Sequence, residues 1–330
     1  MSQALTGQLA RTLQVVLTLE IGLLGFGGGW LWWRGTLTGL QWVALAAGVY
    51  FGFRALATAS NFLQTWWHRT PRAPEHRIGV VATLRLLWGE YYTTLLAYSL
   101  LFPFEATLVP LAPRPAAPGR GTPIVLVPGF ACNRGYWVLF ARSLERAGLG
   151  PVYAVTLEPL LGSIEANAAQ LARFAEAICA QTGAPKVALV GHSMGGLVAR
   201  AWLHAGGAPR IEQIVALGTP NRGTVLAQPL RGLGANLAQM SRDSAWSRAL
   251  SEHEARPCPV PITAIITPHD NIVAPQDSTW LRYPNARNVV LPGVGHLEMV
   301  LSVPVVLATI EAVKAGATVP VAAAPVPTQG

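Results

Sequence analysis

The sequence predicts a mostly parallel α/β sheet with helices on both faces, preceded by an N-terminal transmembrane helical hairpin. Between about residues 123 and 315, short β-branched runs alternate with amphipathic stretches. Continuous apolar strands joined by helical crossovers make a parallel sheet buried on both sides. Composition adds the hairpin. Only 12% of the 330 residues are charged and 51% are hydrophobic, against roughly 25% charged in soluble domains. That excess apolarity sits mostly before residue 105.

Residues 13–33, LQVVLTLEIGLLGFGGGWLWW, are long enough to cross a bilayer. A signal peptide is the competing reading. Against it, Glu20 interrupts the apolar run and no small-residue cleavage site follows, only Trp32-Trp33-Arg34. The tryptophans suit a membrane interface. After Arg34-Gly35-Thr36, residues 37–57 supply a second apolar run, so residues 1–60 are assigned to the hairpin. Gly22, Gly25, Gly27, Gly28 and Gly29 are expected to permit close helix packing. Glu20 is expected to face the partner helix in its neutral form, and Arg54 to snorkel from the end of the second run.

Residues 61–122 read as a basic segment, a helix and a linker. Over residues 86–104, Glu90, Thr93, Thr94 and Ala97 share one helical face with Thr83. Leu84, Leu87, Trp88, Tyr91, Leu95 and Phe102 share the other. That pattern favours a helix lying in the membrane interface over a third span. Pro103, Pro110, Pro113, Pro115 and Pro118 predict an extended linker. Arg69, Arg72, Arg77 and Arg85, against Arg34 alone in the hairpin connection, place this segment in the cytoplasm by the positive-inside rule. If 86–104 does not span, the α/β domain is cytoplasmic too. Cys132, Cys179 and Cys258 are expected to stay unpaired, in keeping with a reducing compartment. The tail, 316–330, lacks periodicity and is expected to be disordered.

Within 123–315, strands are predicted from Pro123, Val152, Lys186, Ile211, Ile262 and Arg287, and helices over 164–182 and 197–204. Residues 225–261 are too long for a simple connection. Their Leu226, Leu230, Leu233, Leu237, Met240, Trp246 and Leu250 at near-helical spacing predict a helical cap.

The sharpest chemical signal is Gly191-His192-Ser193-Met194-Gly195-Gly196, between the strand KVALV and the helix LVARAWL. G-x-S-x-G in a strand–turn–helix setting is a nucleophile elbow. Gly191 and Gly195 are required because the turn crowds its strand and helix, and Ser193 should sit in strained geometry. A serine hydroxyl needs a base to take its proton, and the base an orienting carboxylate. In such folds they follow in the order Ser, Asp or Glu, His. The sequence has three aspartates, Asp243, Asp270 and Asp277. Asp270 follows directly on the strand ITAIIT; Asp277 reads as a surface or cap residue, and Asp243 has no strand before it. Downstream of Asp270 His296 is the single histidine. Ser193, Asp270 and His296 are thus the expected triad, with His192 and His269 as decoys. The oxyanion hole needs two backbone N–H donors, expected from Phe130 and Met194. Cys132 reads as a small buried residue.

VLVPGF, GHSMGG, LGTPNRGT, HDNIV and GVGHLE together resemble the lipase/esterase branch of the α/β-hydrolase superfamily, similar to bacterial triacylglycerol lipases and membrane-bound lipase-like esterases. The resemblance covers about residues 123–312 and implies the α/β-hydrolase fold and an acyl-ester substrate. Two departures stand out. Pro128 precedes Gly129 where many relatives carry histidine, and aspartates that hold calcium in some secreted lipases have no match. No metal and no cofactor are expected. The partners expected are membrane lipids and an ester substrate, with no nucleic acid, because the charge of +8 is scattered arginine and not a basic stripe. The rival readings are acyl transfer through the same triad and a catalytically silent scaffold.

Overall fold

Two long apolar helices open the computed structural model, which describes residues 7–109 and 121–316. The Pro-rich stretch over 110–120 and the tail over 317–330 lie outside the described residues. Helix α1 runs Gln8–Trp33 and α2 runs Gly39–His68, both long and apolar enough to cross a membrane. Thr38 caps α2, accepting from the Gln41 amide while the Gln41 side chain accepts from the Thr38 amide.

The hairpin differs from expectation in three ways. Helix α2 continues through the polar residues 61–68, so Arg54 lies mid-helix and does not snorkel from its end. Its Nη2 meets Glu20 Oε2 at 2.7 Å, and its guanidinium stacks over the Tyr50 ring. Glu20 faces the partner helix as expected, but opposite the Arg54 guanidinium. Of the five glycines, Gly28 alone makes the close approach: a side chain there would overlap the Trp42 indole, while Gly22, Gly25, Gly27 and Gly29 face open space. The Trp42 Nε1–H donates to the Leu24 carbonyl at 3.0 Å.

Helix α3, Val80–Leu96, loosens into a wide turn over Ala97–Leu101, and a short helix α4, Glu105–Leu108, follows. Its polar face was expected to meet water. Instead Leu86, Glu90, Thr93 and Ala97 are buried against the α/β domain, and the apolar face with Leu84, Leu87 and Trp88 is exposed. A carboxylate is buried here because the domain supplies donors for it.

The domain contains all six expected strands: β1 Ile124–Val127, β2 Val152–Ala154, β3 Val187–His192, β4 Ile211–Leu217, β5 Ile262–Ile266 and β6 Arg287–Val290. They form one sheet in the order β2-β1-β3-β4-β5-β6, every neighbouring pair parallel. Side chains alternate between faces. Val125, Val127 and Leu189 join a core with α6 (Ile164–Thr182) and α7 (Met194–Trp202). Ile124, Leu126, Ala188 and Val190 join the opposite core, which is closed by Phe140 of α5 (Val138–Arg146), Val305 and Val313 of α10 (Val303–Gly316), and Ala97, Leu101 and Phe102 from the turn after α3. The turn after α3 therefore packs into the core of the sheet domain.

The segment between β4 and β5 is helical, with a 3-10 turn Val225–Leu230 followed by α8, Ala235–Met240, and α9, Ala245–Glu252. Leu237, Met240 and Leu250 pack into the first core, whereas Leu230 and Leu233 are exposed. The Asn236 side chain reaches the Met194 sulfur at 3.6 Å, so this insert borders the elbow.

Candidate active site

Strand β3 ends in the elbow. Ser193 has φ +54° and ψ −124°, outside the regions open to ordinary side chains. Its N–H donates to the Leu217 carbonyl at 2.8 Å, fixing the turn to the end of β4. The glycines are needed for space. A Cβ on Gly191 would lie 2.6 Å from the Gly195 carbonyl carbon, and one on Gly195 would overlap the backbone of Val127. Ser193 is nearly buried, at 9% exposure.

The loop after β1 presses on the elbow: a Cβ on Gly129 would lie 2.9 Å from the Ser193 Cβ. Phe130, next in sequence, is partly buried beside the first core. Met194 is buried as the first residue of α7. The Phe130 and Met194 amides therefore belong to the two segments that meet at Ser193.

On the other side, His296 Nδ1 and Asp270 Oδ2 are 2.7 Å apart, both buried. The other carboxylate oxygen, Oδ1, accepts from the Ile272 and Val273 amides at 2.8 and 2.7 Å. Gly218, at φ +54° beyond β4, lets the backbone pass the pair: a Cβ there would lie 3.3 Å from both Asp270 Oδ2 and His296 Nδ1. The rings of His296 and His192 are 4.6 Å apart, which places the imidazole beside the residue preceding Ser193. The segments that carry Phe130, Ser193, Met194, Asp270 and His296 thus lie together. Asp277 and Asp243 stay outside, where Asp277 lies 3.8 Å from Arg242 and Asp243 lies 3.2 Å from it.

A family described as alpha/beta hydrolase fold matches residues 122–243. Among solved structures, Aspergillus fumigatus lipase B superposes with a TM-score of 0.52 at 18% identity, over 75% of this chain and 78% of that one. Bacillus licheniformis lipase BlEst2 in its propeptide form superposes at 0.51 and 18% identity, over 60% of this chain and 52% of that one. This chain has the α/β-hydrolase fold. Among curated proteins, a triacylglycerol lipase of Burkholderia plantarii is 32% identical over 131 residues, 36% of either chain. A triacylglycerol lipase of Pseudarthrobacter phenanthrenivorans is 33% identical over 113 residues, 32% of this chain and 35% of that one. The chain spans about a third of the length of the curated relatives it matches, and its likeness is to lipases.

Electrostatics separate the histidines. Burial alone would push the His296 pKa down, but the Asp270 carboxylate and its hydrogen bond, with Glu90 further off, outweigh it and hold the pKa raised. His192 is pushed well down by burial and then by His296. Its Nε2 lies 3.1 Å from the His296 carbonyl oxygen and 3.3 Å from the Tyr136 hydroxyl, which leaves that ring in a supporting role. His269 is lowered to about 4 by burial and by Arg72 and His76, and its Nδ1 accepts from the Gly293 amide. Burial raises the Cys132 thiol to about 12, as suits a small buried residue.

Sequence reasoning missed four residues at the candidate site. Asn271 Oδ1 accepts from the His296 amide at 2.9 Å, Tyr136 donates to the Leu297 carbonyl at 2.9 Å, Gly218 gives room, and Glu90 touches the histidine loop. Asn271 adjoins Asp270, and Gly218 lies in LGTP, so both were within reach of a motif reading. Tyr136 and Glu90 meet the site only through the fold. A Cβ on Gly295 would collide with the Glu90 side chain, and the positive φ of +79° in this loop falls at Gly293.

Proposed function

We propose that this protein is a membrane-anchored serine esterase or lipase that cleaves acyl esters through an acyl-enzyme. The observation that carries the reading is the buried His296–Asp270 pair, 2.7 Å apart, beside a serine held at φ +54° in a strand–turn–helix elbow. The His296 imidazole takes the Ser193 proton as the serine oxygen attacks the ester carbonyl. The Phe130 and Met194 amides stabilise the resulting oxyanion. Collapse breaks the ester C–O bond, and the alcohol leaves with the proton from His296. Water then attacks the acyl-enzyme by the same route, releasing the acid and restoring the hydroxyl. Asp270 orients the imidazole and balances its charge throughout.

Lipid as the substrate class is supported by the hairpin and by the chain just beyond it. Trp66 and Trp67, near the end of α2, are exposed in the manner of an interfacial belt. A groove of roughly 490 Å³, lined by Leu63, Trp67, Val225, Leu226 and Pro229 among others, runs between that end and the cap. Thr224, at the start of the cap, donates to the Ile272 carbonyl and accepts from the Ala274 amide, which ties the cap beside the groove to the Asp270 loop. The basic segment docks on the same loop, with Thr70 N–H donating to Gln276 and Arg72 Nε–H to the Pro268 carbonyl. That contact favours a hydrolase domain on the same side of the membrane as residues 61–85, the cytoplasmic side by their arginines. The test is covalent labelling by a fluorophosphonate, with turnover of p-nitrophenyl esters and of phospholipid vesicles. Ser193→Ala is expected to abolish labelling and cut turnover by at least ~10³-fold. Labelling that persists in the variant overturns the assignment.

A further inference from the structure

We propose that Glu90 is a positioning residue for this reaction: supplied by the helix between the apolar hairpin and the sheet, its carboxylate fixes the backbone that carries His296. The inference rests on the esterase reading above. Glu90 is fully buried, and its Oε1 accepts from the Leu297 amide at 3.1 Å while its Oε2 accepts from the Glu298 amide at 2.9 Å. These are the two residues immediately after the catalytic imidazole. A buried carboxylate is costly unless hydrogen-bonded, and this one takes its partners from that loop.

The close approach is built from both sides. A Cβ on Gly295 would lie 2.9 Å from the Glu90 Cβ, and one on Gly89 would overlap the Glu298 carboxyl group. Glu298 Oε2 in turn accepts from the Gly295 amide at 3.1 Å. Glu90 meets backbone amides and not the imidazole, which makes it a positioning group. The preceding segment treats the other arm of the pair alike. Thr70 N–H donates to Gln276 Oε1, and the Gln276 amide donates to the Asp270 carbonyl at 2.8 Å. Both loops that carry the His296–Asp270 pair are therefore held by chain that precedes the sheet, and the sheet domain alone presents an incomplete site.

The titratable groups around Glu90 are His296, Glu298, Tyr98 and Tyr136, with Arg85 acting on Glu298. Among them His296 is the one whose protonation sets activity; burial raises the Glu90 pKa against the pull of its two backbone hydrogen bonds, and where Glu90 is ionised its charge helps keep the His296 pKa raised. The experiment uses the full chain in detergent micelles, measuring Tm, kcat, KM and the pH profile of kcat/KM on a p-nitrophenyl ester. Glu90→Gln keeps length and loses charge; Glu90→Asp keeps charge and is one methylene short. For Glu90→Gln we expect a folded protein with KM nearly unchanged and kcat lower on the order of 10²-fold, the scale of a misplaced catalytic group. The acid limb should move to lower pH. Glu90→Asp should lose kcat with the limb in place. A folded Glu90→Gln with wild-type kcat, or with an unmoved acid limb, overturns the proposal. So does failure of both variants to fold, since Glu90 would then be holding the fold. Ser193→Ala run alongside separates the two readings: if it stays active, the esterase assignment itself has failed.

Discussion

The sheet domain and the N-terminal helices obey different rules. In the domain, Ser193 and Asp270 are marked by what is next to them in the chain: Ser193 by the glycines of its elbow, and Asp270 by its position just beyond β5. In the N-terminal region the deciding contacts are distant in sequence. Glu20 meets Arg54, Gly28 meets Trp42, and Glu90 meets residues 297 and 298. A polar residue in an apolar helix announces that it has a partner without saying which one.

The sharpest way to break the sheet half of this comparison is Asp270→Asn. It should keep the fold and lower kcat on the order of 10³–10⁴-fold, because the imidazole tautomer is no longer set. The sign of the pH effect follows from His296. Its raised pKa means that the neutral, working imidazole appears only above that pKa. With the neighbouring charge gone, the acid limb of the residual activity should move to lower pH. Asp277→Asn should change kcat less than about twofold, as expected of a half-exposed surface carboxylate. A crippled Asp277→Asn would show that the acid of the triad had been misread.

Legibility followed the same division. The six strands, helix α6 and the elbow were legible because β-branched runs, helical periodicity and steric crowding are local properties. The end of α2 was not, since Asn61, Gln64 and Thr65 look like a stop. The helix nonetheless continues, with the Thr65 hydroxyl donating back to the Asn61 carbonyl. Extending α2 puts Arg54 in its middle, and this sharpens the membrane half of the comparison. A lone charge near mid-span costs about 2.5–3.5 kcal/mol on the insertion scale. Glu20→Ala and Arg54→Ala should each lower the fraction of protein resisting carbonate extraction from membranes. The double variant should recover most of it. Single variants as well inserted as the wild type would mean that the pair does not sit in the bilayer.

The smallest expected effect lies where the two regions meet. Glu298, in the histidine loop, faces Glu90 from α3, and its pKa is raised to about 7, first by burial and then, against the Gly295 amide, by the Glu90 charge. An acid whose pKa is higher in the folded state binds protons that the unfolded chain releases at about 4.3. Its contribution to stability is therefore full below that value and lost as pH rises through about 7. Between pH 5 and 8 the wild type should lose about 2–4 °C of Tm more than Glu298→Gln, the response of a domain this size to ~1 kcal/mol. That is less than the full shift would give, because the carboxyl is partly exposed and screened. Glutamine keeps an acceptor for the Gly295 amide and cannot ionise, so its curve isolates the Glu298 proton. If the two Tm curves run parallel across pH 7, Glu298 is ionised throughout and α3 lies further from the histidine loop than this packing has it.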